Sequence, residues 1–513
     1  MRATERATLF DEQSPLVSGS PTPDGSIGSI EHNRAIATGV LWSGALRWLS
    51  QVLAWTATIV VARRLSAEDY GIAGTATVFL GLLSLVTEGG VGRALVMRRE
   101  RSPELIAQAH GASMLVGGAV SLLMLCLAIP LAHFFSEPRV AALVATLAIG
   151  PLLTGANAVP TAVLQQHLSY RRLAMIEFLK ALVQAGSVLV GALAGLRYWS
   201  LAIGIILGQL TSLLATRHYV RMKPSMPQWS SVAPTTSYAQ HLVLSSMAWY
   251  AYSSADFAVV GRVAGLAALG YYQFAWNIAQ LPGEKLANVL QGVVGPFFGS
   301  IGDDRKLLRH YFLVLSELLM SIMLPVLFGF ALVSPVAIPL IFGAKWTAAV
   351  PVLQILVACA SIASLSLLSQ HVLSATGQAS VAMKLNLAAM AIMPPAFYFA
   401  AREAGPIAVA GVWLLAQPVL TAVPLLRLQD TIGLSVKDFM LNLRAPLTAS
   451  LLMSAVVFLT SRLTHDLVPI VQLLTLSSIG AMIYLGTFFI FFRPRAEAML
   501  SLWRARPEQA DPA

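Results

Sequence analysis

IAQAHGASMLVGGAVSLLMLCLAIPL, residues 106–131, carries no Asp, Glu, Lys or Arg. About 20 apolar residues at 1.5 Å each cross the ~30 Å hydrocarbon core of a bilayer, so this stretch reads as a transmembrane helix. It is one of many. Working outward, similar runs fall near 36–62, 72–96, 139–163, 176–196 and 199–220 on one side of a polar break at 221–236 (RMKPSMPQWSSVAPTT). Beyond the break they resume near 238–262, 267–293, 311–333, 347–369, 381–402, 406–426, 443–463 and 467–492. Pro335 and Pro339 in 331–343 suit a bent extension of a span better than a further crossing. The reading is an all-α polytopic membrane protein of 14 spans.

The composition agrees. Of 513 residues, 57% are apolar and 11% charged, against ~25% charged in soluble domains, and the mean hydropathy is +0.71. Too few polar atoms remain to cover a water-facing surface, which excludes a soluble enzyme, a disordered scaffold and a nucleic-acid-binding module. The net charge of +10 reflects the basic bias of cytoplasmic loops. With spans alternating from an inside start, 22 Lys or Arg fall in inside segments, among them Arg98, Arg171, Arg221 and Arg305. Eight fall in the alternate loops: Arg63, Arg64, Arg139, Arg197, Arg262, Lys345, Arg402 and Arg462. That asymmetry puts both termini in the cytoplasm. Cys126 and Cys359 sit in apolar runs and read as small core residues. No CxxC, HExxH or paired-His spacing suggests a zinc site, and no cofactor is expected.

The segment VVARRLSAEDYG at 60–71 recurs as VVGRVAGLAALG at 259–270, with Val60, Val61, Arg63 and Gly71 repeated as Val259, Val260, Arg262 and Gly270. Six spans separate the copies, so they run the same way through the membrane. The expected organisation is a disordered cytoplasmic tail at 1–35, an N-lobe of spans 1–6 at 36–220, a cytoplasmic linker at 221–237 and a C-lobe of spans 7–12 at 238–426. Two appended spans at 427–492 and a cytoplasmic tail at 493–513 complete it. Parallel repeats are a transporter plan with the binding site at the repeat interface.

Polar residues inside spans mark candidate sites, because an ionisable side chain there costs a few kcal/mol. In span 8, Gln273, Asn277, Gln280, Glu284, Asn288 and Gln291 are spaced by 4, 3, 4, 4 and 3, one narrow stripe at 100° per residue. Such a row lines water, a polar substrate or another polar helix. Lys285 lies at its edge, and Pro282 offers a bend point. Span 7 aligns His241, Ser245, Trp249, Tyr252 and Asp256, and span 1 aligns Ser43, Arg47, Ser50, Gln51 and Thr58. In span 5, Glu177, Lys180, Gln184 and Ser187 share a face, and Glu177 and Lys180 pair at i,i+3. His241 reads as a satisfied helix-end histidine. Asp256 is either a proton or cation site or a counter-charge for an arginine such as Arg47.

Four stretches resemble bacterial polysaccharide flippases, the Wzx-like members of the multidrug/oligosaccharidyl-lipid/polysaccharide exporter superfamily. These are TEGGVGRALVMRRE (Thr87 to Glu100), the span 8 segment running from YYQFAWNIAQLPGEKLANVLQ into GPFFG, FGAKWTAAVPVLQIL (Phe342 to Leu356) and ARRLSAEDYG (Ala62 to Gly71). Gly299 stands where the family usually has Ser. The resemblance covers about residues 36–400. It implies a non-enzymatic protein of the inner membrane that turns a polyprenyl-diphosphate-linked oligosaccharide across the bilayer by alternating access between two lobes. It further implies a single-chain unit serving lipopolysaccharide, capsule or exopolysaccharide synthesis beside a polymerase and glycosyltransferases. The sugar chain would meet Gln273, Asn277, Gln280, Glu284, Asn288, Trp249, Tyr250 and Tyr252. A guanidinium suits the diphosphate best, so Arg47 is the first choice, with Lys285 and Lys180 behind it. Asp256 and Glu177 are the candidates for ion coupling.

Three alternatives define the tests. A membrane glycosyltransferase or polymerase would need a carboxylate at the outer interface, where Glu68 and Asp69 sit; a helix start with Ser66 as N-cap is the favoured reading of SAED, because no long outer loop is available to build a catalytic pocket. A multidrug exporter expects an acid-rich aromatic cavity. A flippase for peptidoglycan precursors differs only in its glycan.

Overall fold

The computed structural model describes residues 48–89, 102–167, 169–228, 246–291, 294–301 and 304–492. The tails at 1–35 and 493–513, Ser43, Arg47, His241, Ser245 and most of Thr87 to Glu100 lie outside the described residues. Among the described residues the secondary structure is helical throughout, with no strand. The chain divides into two compact units, 1–267 and 268–513.

In the first unit, α1 covers 48–64, followed by α2 (Ala67–Gly89), α3 (Pro103–Phe135), α4 (Arg139–Leu147), α5 (Ile149–Gln166), α6 (Tyr170–Leu193) and α7 (Trp199–Tyr219). Two short helices, α8 at 246–253 and α9 (Ala255–Val263), close the unit. The fourth expected span is thus two helices, α4 and α5, meeting at Ala148. The core gathers Ile72, Ala76, Met124, Val140, Leu143 and Leu147 from α2, α3 and α4.

Small residues let these helices approach closely, the usual basis of packing where lipid removes the hydrophobic drive between helices. A Cβ on Gly155 of α5 would stand 2.6 Å from the Ser113 carbonyl of α3, and the Ser113 hydroxyl donates to the Gly155 carbonyl at 2.9 Å. After α7 the chain turns back along α3. The Ser225 N–H donates to the Ala107 carbonyl at 3.1 Å, and a Cβ on Gly111 would meet the Ser225 carbonyl at 1.9 Å. The described part of the expected linker is therefore a strap laid on α3.

The second unit contains α10 (Leu266–Gln291), whose first turn begins in the preceding unit, then α11 (Val294–Ile301) and α12 (Arg305–Phe342). A 3₁₀ helix at Ala344–Ala349 leads to α13 (Val350–Ser364), α14 (Ser369–Ala375) and α15 (Ala379–Ile432). Last come α16 (Val436–Asn442), α17 (Arg444–Leu463) and α18 (Pro469–Phe491). Helix α12 runs unbroken through Pro325, Pro335 and Pro339, so 331–343 extends that span, as the prolines suggested. The stretch α15 is two helices meeting at a kink between the expected spans: Ala404 and Gly405 leave helical geometry, with Gly405 at φ +63°, a conformation that favours glycine. Helices α17 and α18 pack on each other and on α12. The Tyr484 hydroxyl of α18 donates to the Ser321 carbonyl of α12 at 2.7 Å. The short α16 is tied to α12 by Arg309 Nη2 to Asp438 Oδ2 at 2.7 Å.

Ten helical segments among the described residues are long and apolar enough to cross a membrane. The segment Val381–Ile432 holds two of the expected crossings. Helix α10 has 26 residues yet is not among the ten, because its polar stripe lowers its hydropathy. Cys359 is buried, but Cys126 is exposed on α3, which corrects its reading as a core residue. In an evenly apolar helix the sequence gives no signal of which face turns outward.

Candidate functional site

Helix α10 is two-faced for a reason visible in its sequence. Tyr271, Phe274 and Ile278 recur on one side, and Tyr272, Ala275 and Ala279 flank them; Tyr272, Phe274, Ala275, Ile278 and Ala279 are buried. Phe274 stacks on Trp346 of the 3₁₀ helix at 4.1 Å and meets Phe342 edge-on at 5.0 Å. Tyr271 meets Trp346 edge-on at 5.9 Å. The fully buried Trp346 is thus the anchor that fixes the rotation of α10.

That rotation turns the polar stripe away from the packed side. Asn277 and Glu284 are exposed, and Gln273 and Gln280 half-buried. At 1.5 Å per residue, Asn277 and Gln280 lie about 16 and 21 Å along α10 from its start, near the middle of a ~30 Å hydrocarbon core. Glu284 lies about 27 Å along, toward the other end of the helix; an amide exposed at mid-depth, as Asn277 is, needs water or a polar ligand beside it. The side chains of Lys285 and Asn288 lie outside the described residues, as does Arg47.

The first unit carries the other candidates. On α6, Lys180 Nζ stands 3.9 Å from Glu177 Oε2, the i,i+3 pair expected from spacing. Glu177 is exposed and Lys180 half-buried. On α8, Trp249 is half-exposed and meets Tyr250 edge-on at 6.5 Å. The Tyr250 hydroxyl lies over Gly81 of α2, where an added Cβ would be 2.1 Å away. Tyr252 is buried. Asp256, in the first turn of α9, is fully buried, and its Oδ1 accepts from the Phe257 N–H at 2.8 Å. Within each unit the fold therefore brings together Glu177 with Lys180, Trp249 with Tyr250, and Gln273, Asn277, Gln280 and Glu284 in one row.

At one end of the first unit, charged residues from several turns interlock. The Ser66 hydroxyl accepts from the Asp69 N–H at 3.1 Å and Asp69 Oδ2 accepts from the Ser66 N–H at 3.1 Å, the reciprocal cap of a helix start; the Ser66 hydroxyl also donates to the same Oδ2 at 2.8 Å. Asp69 Oδ1 also accepts from Arg197 Nε at 3.0 Å. Arg139 takes Glu137 in a fork at 2.7 and 2.9 Å and pairs with Glu68. Arg262 Nη1 donates to Ser136 Oγ at 3.0 Å. The Arg139 guanidinium, bonded to the Glu137 carboxylate, holds that group below its ordinary range. Glu68 and Asp69 are thus helix-start and ion-pair groups, with the arginine partners Arg139 and Arg197 supplied by loops the sequence did not join to them. Among the described residues no cluster of three or more His, Cys, Asp or Glu could hold a metal.

Two tryptophans escaped the sequence reading. Trp48 and Trp55 of α1 are 69% and 45% exposed; their spacing of seven, beside Gln51, was the available signal.

Comparison with known proteins agrees with this architecture. Residues 60–351 match the family described as "Polysaccharide biosynthesis protein". The chain is 26% identical over 422 residues to the "Lipopolysaccharide biosynthesis protein WzxC" of Escherichia coli (strain K12), covering 81% of this chain and 85% of that protein. It is 24% identical over 488 residues to the "Succinoglycan biosynthesis transport protein ExoT" of Rhizobium meliloti (strain 1021), covering 94% and 98%. Among solved structures, "Lipid II flippase MurJ, inward closed conformation" superposes with a TM-score of 0.73 at 15% identity, covering 88% of this chain and 99% of that one.

Proposed function

Because the chain belongs to the polysaccharide biosynthesis protein family, we propose that it is a flippase that translocates a polyprenyl-diphosphate-linked oligosaccharide across the bacterial inner membrane by alternating access. The observation that supports this reading is the row Gln273, Asn277, Gln280 and Glu284 on the face of α10 opposite its packed side, with Asn277 and Glu284 exposed. Amides exchange donor and acceptor bonds with sugar hydroxyls as readily as with water, so a glycan slides past them without a deep binding minimum. Relatives bearing the words lipopolysaccharide, succinoglycan transport and lipid II flippase support a lipid-linked glycan as cargo. The pairing of Glu68 and Asp69 with arginines favours transport over sugar transfer at that interface.

In this reading, two six-helix lobes and two appended helices make 14 crossings, with both termini in the cytoplasm, and a single chain is the working unit. Arg47, Lys180 and Lys285 are the cations for the diphosphate, and Trp249, Tyr252 and Asn288 add to the sugar path. Asp256 and Glu177 take the coupling role. The partners are the lipid-linked oligosaccharide and the polymerase and glycosyltransferases that use it.

Depletion in the native host is the direct test. The expected result is accumulation of the diphosphate-linked repeat on the cytoplasmic leaflet with loss of surface polymer. Continued appearance of the repeat on the outer leaflet after depletion would refute the proposal.

A further inference from the structure

Helix α1 presents a face that its own unit does not cover. Ala57, Val61 and Leu65 are buried, and Val61 and Leu65 pack against Val188, Ala192 and Leu201 of α6 and α7. On the opposite side Trp48, Leu49, Val52 and Trp55 are exposed, the two tryptophans at 69% and 45%. Seven residues separate them, so they lie about 10 Å apart along the axis and nearly in line. Gln51 and Thr58 share the arc of Trp55 to within about 60°.

Depth decides what this face meets. Trp55 lies nine residues before Arg64, where α1 ends, about 14 Å from that end, which is the bilayer midplane for a helix whose end sits at the membrane surface. Tryptophan belongs at the membrane interface, where the indole N–H finds a polar partner; hydrocarbon at the midplane supplies none. An indole at that depth with a glutamine one turn before it and a threonine one turn after it fits a water-filled path better than acyl chains.

We propose that Trp55, with Trp48 about 10 Å along the same face, is a stacking platform for the hexose rings of the translocated glycan, with Gln51 and Thr58 bonding the hydroxyls at the ring edge. This rests on the proposed export of a lipid-linked oligosaccharide and assigns a glycan contact to α1, a helix to which the sequence reading gave only polar and cationic groups. A pyranose has an apolar C–H face and a polar rim; an indole matches the first, and a flanking amide and hydroxyl match the second. The platform recognises ring shape and not one sugar, so it acts as a track.

The test uses the full chain in two arms. In the first, W55F and W55L are compared with wild type for outer-leaflet appearance of the repeat in depleted cells. W55F is expected to retain export and W55L to lose it about tenfold, equivalent to ~1.4 kcal/mol. In the second, W55C is made in a C126S/C359A background and treated with a membrane-impermeant sulfonate thiol reagent and, separately, with a lipid-soluble maleimide. Modification by the charged reagent supports the platform. Modification by the maleimide alone would place position 55 against lipid and overturn it, as would wild-type export by W55L. Either of those results leaves the export reading standing while wild type still moves the repeat. Failure of wild type to move it ends both.

Discussion

Replacing Trp346 with alanine tests the link between packing and site. Trp346 is fully buried, stacked on Phe274 at 4.1 Å with an interplanar angle of 22° and approached by Tyr271 at 5.9 Å. Removing a buried Trp costs about 3–5 kcal/mol, of which each aromatic pair contributes about 0.5–1.5 kcal/mol beyond area. The W346A variant is therefore expected to lose about 4 kcal/mol in reversible SDS unfolding in mixed micelles. In a double-mutant cycle with F274A, the coupling should be about 1 kcal/mol. Because the same ring fixes the rotation that turns Asn277 and Gln280 outward, export should fall in W346A but survive in W346F, which keeps a ring in the slot. A W346A loss below about 1 kcal/mol, or additivity with F274A to within about 0.3 kcal/mol, would refute the anchoring role.

Three further outcomes follow from the geometry. The N277L/Q280L pair removes two amides at nearly constant volume from an unpacked face, so export should drop roughly 10- to 100-fold at about 0.5–1.5 kcal/mol per lost bond, while the SDS midpoint stays put. Unchanged export would disconnect the stripe from the cargo. A G111V substitution, whose Cβ would meet the Ser225 carbonyl, should lift the strap at 221–228 and raise amide exchange at Ser225, with the α3–α5 packing retained; undiminished protection there would contradict the close approach. For Glu137, folding lowers the carboxyl pKa, so its contribution of about 1 kcal/mol is present above the ordinary carboxylate range and is lost as pH falls through the depressed value. E137Q should abolish that acid-side slope in an unfolding titration, and a slope that persists would assign it elsewhere.

How much was legible in advance varied with the kind of signal. Helix α10 was readable because polar residues spaced by 3 and 4 in an apolar background mark one face whatever the neighbours do. The Glu177–Lys180 pair and the Ser66 cap were readable because both partners lie within a turn of each other. The partners of Glu68 and Asp69 were not: Arg139 and Arg197 come from turns about 70 and 130 residues away, and only packing brings them to one end. Cys126 was misplaced for the same reason, since an evenly apolar helix carries no phase. The division of α15 was legible, since Gly405 and Pro406 punctuate the apolar run between the expected spans and the chain leaves helical geometry at Ala404 and Gly405.

By itself the sequence determined that the chain is a membrane bundle, which of its helices are too polar to face lipid on all sides, and that a VV-x-R-…-G segment occurs twice in it. Those are properties of composition and period, set by the bilayer as solvent and by the 100° turn of the helix. The tertiary structure decided which side of α10 is anchored, through Trp346; which carboxylates are spent in ion pairs; and which tryptophans of α1 are left uncovered. Such choices depend on contacts between residues far apart in the chain, whose energies no local pattern records.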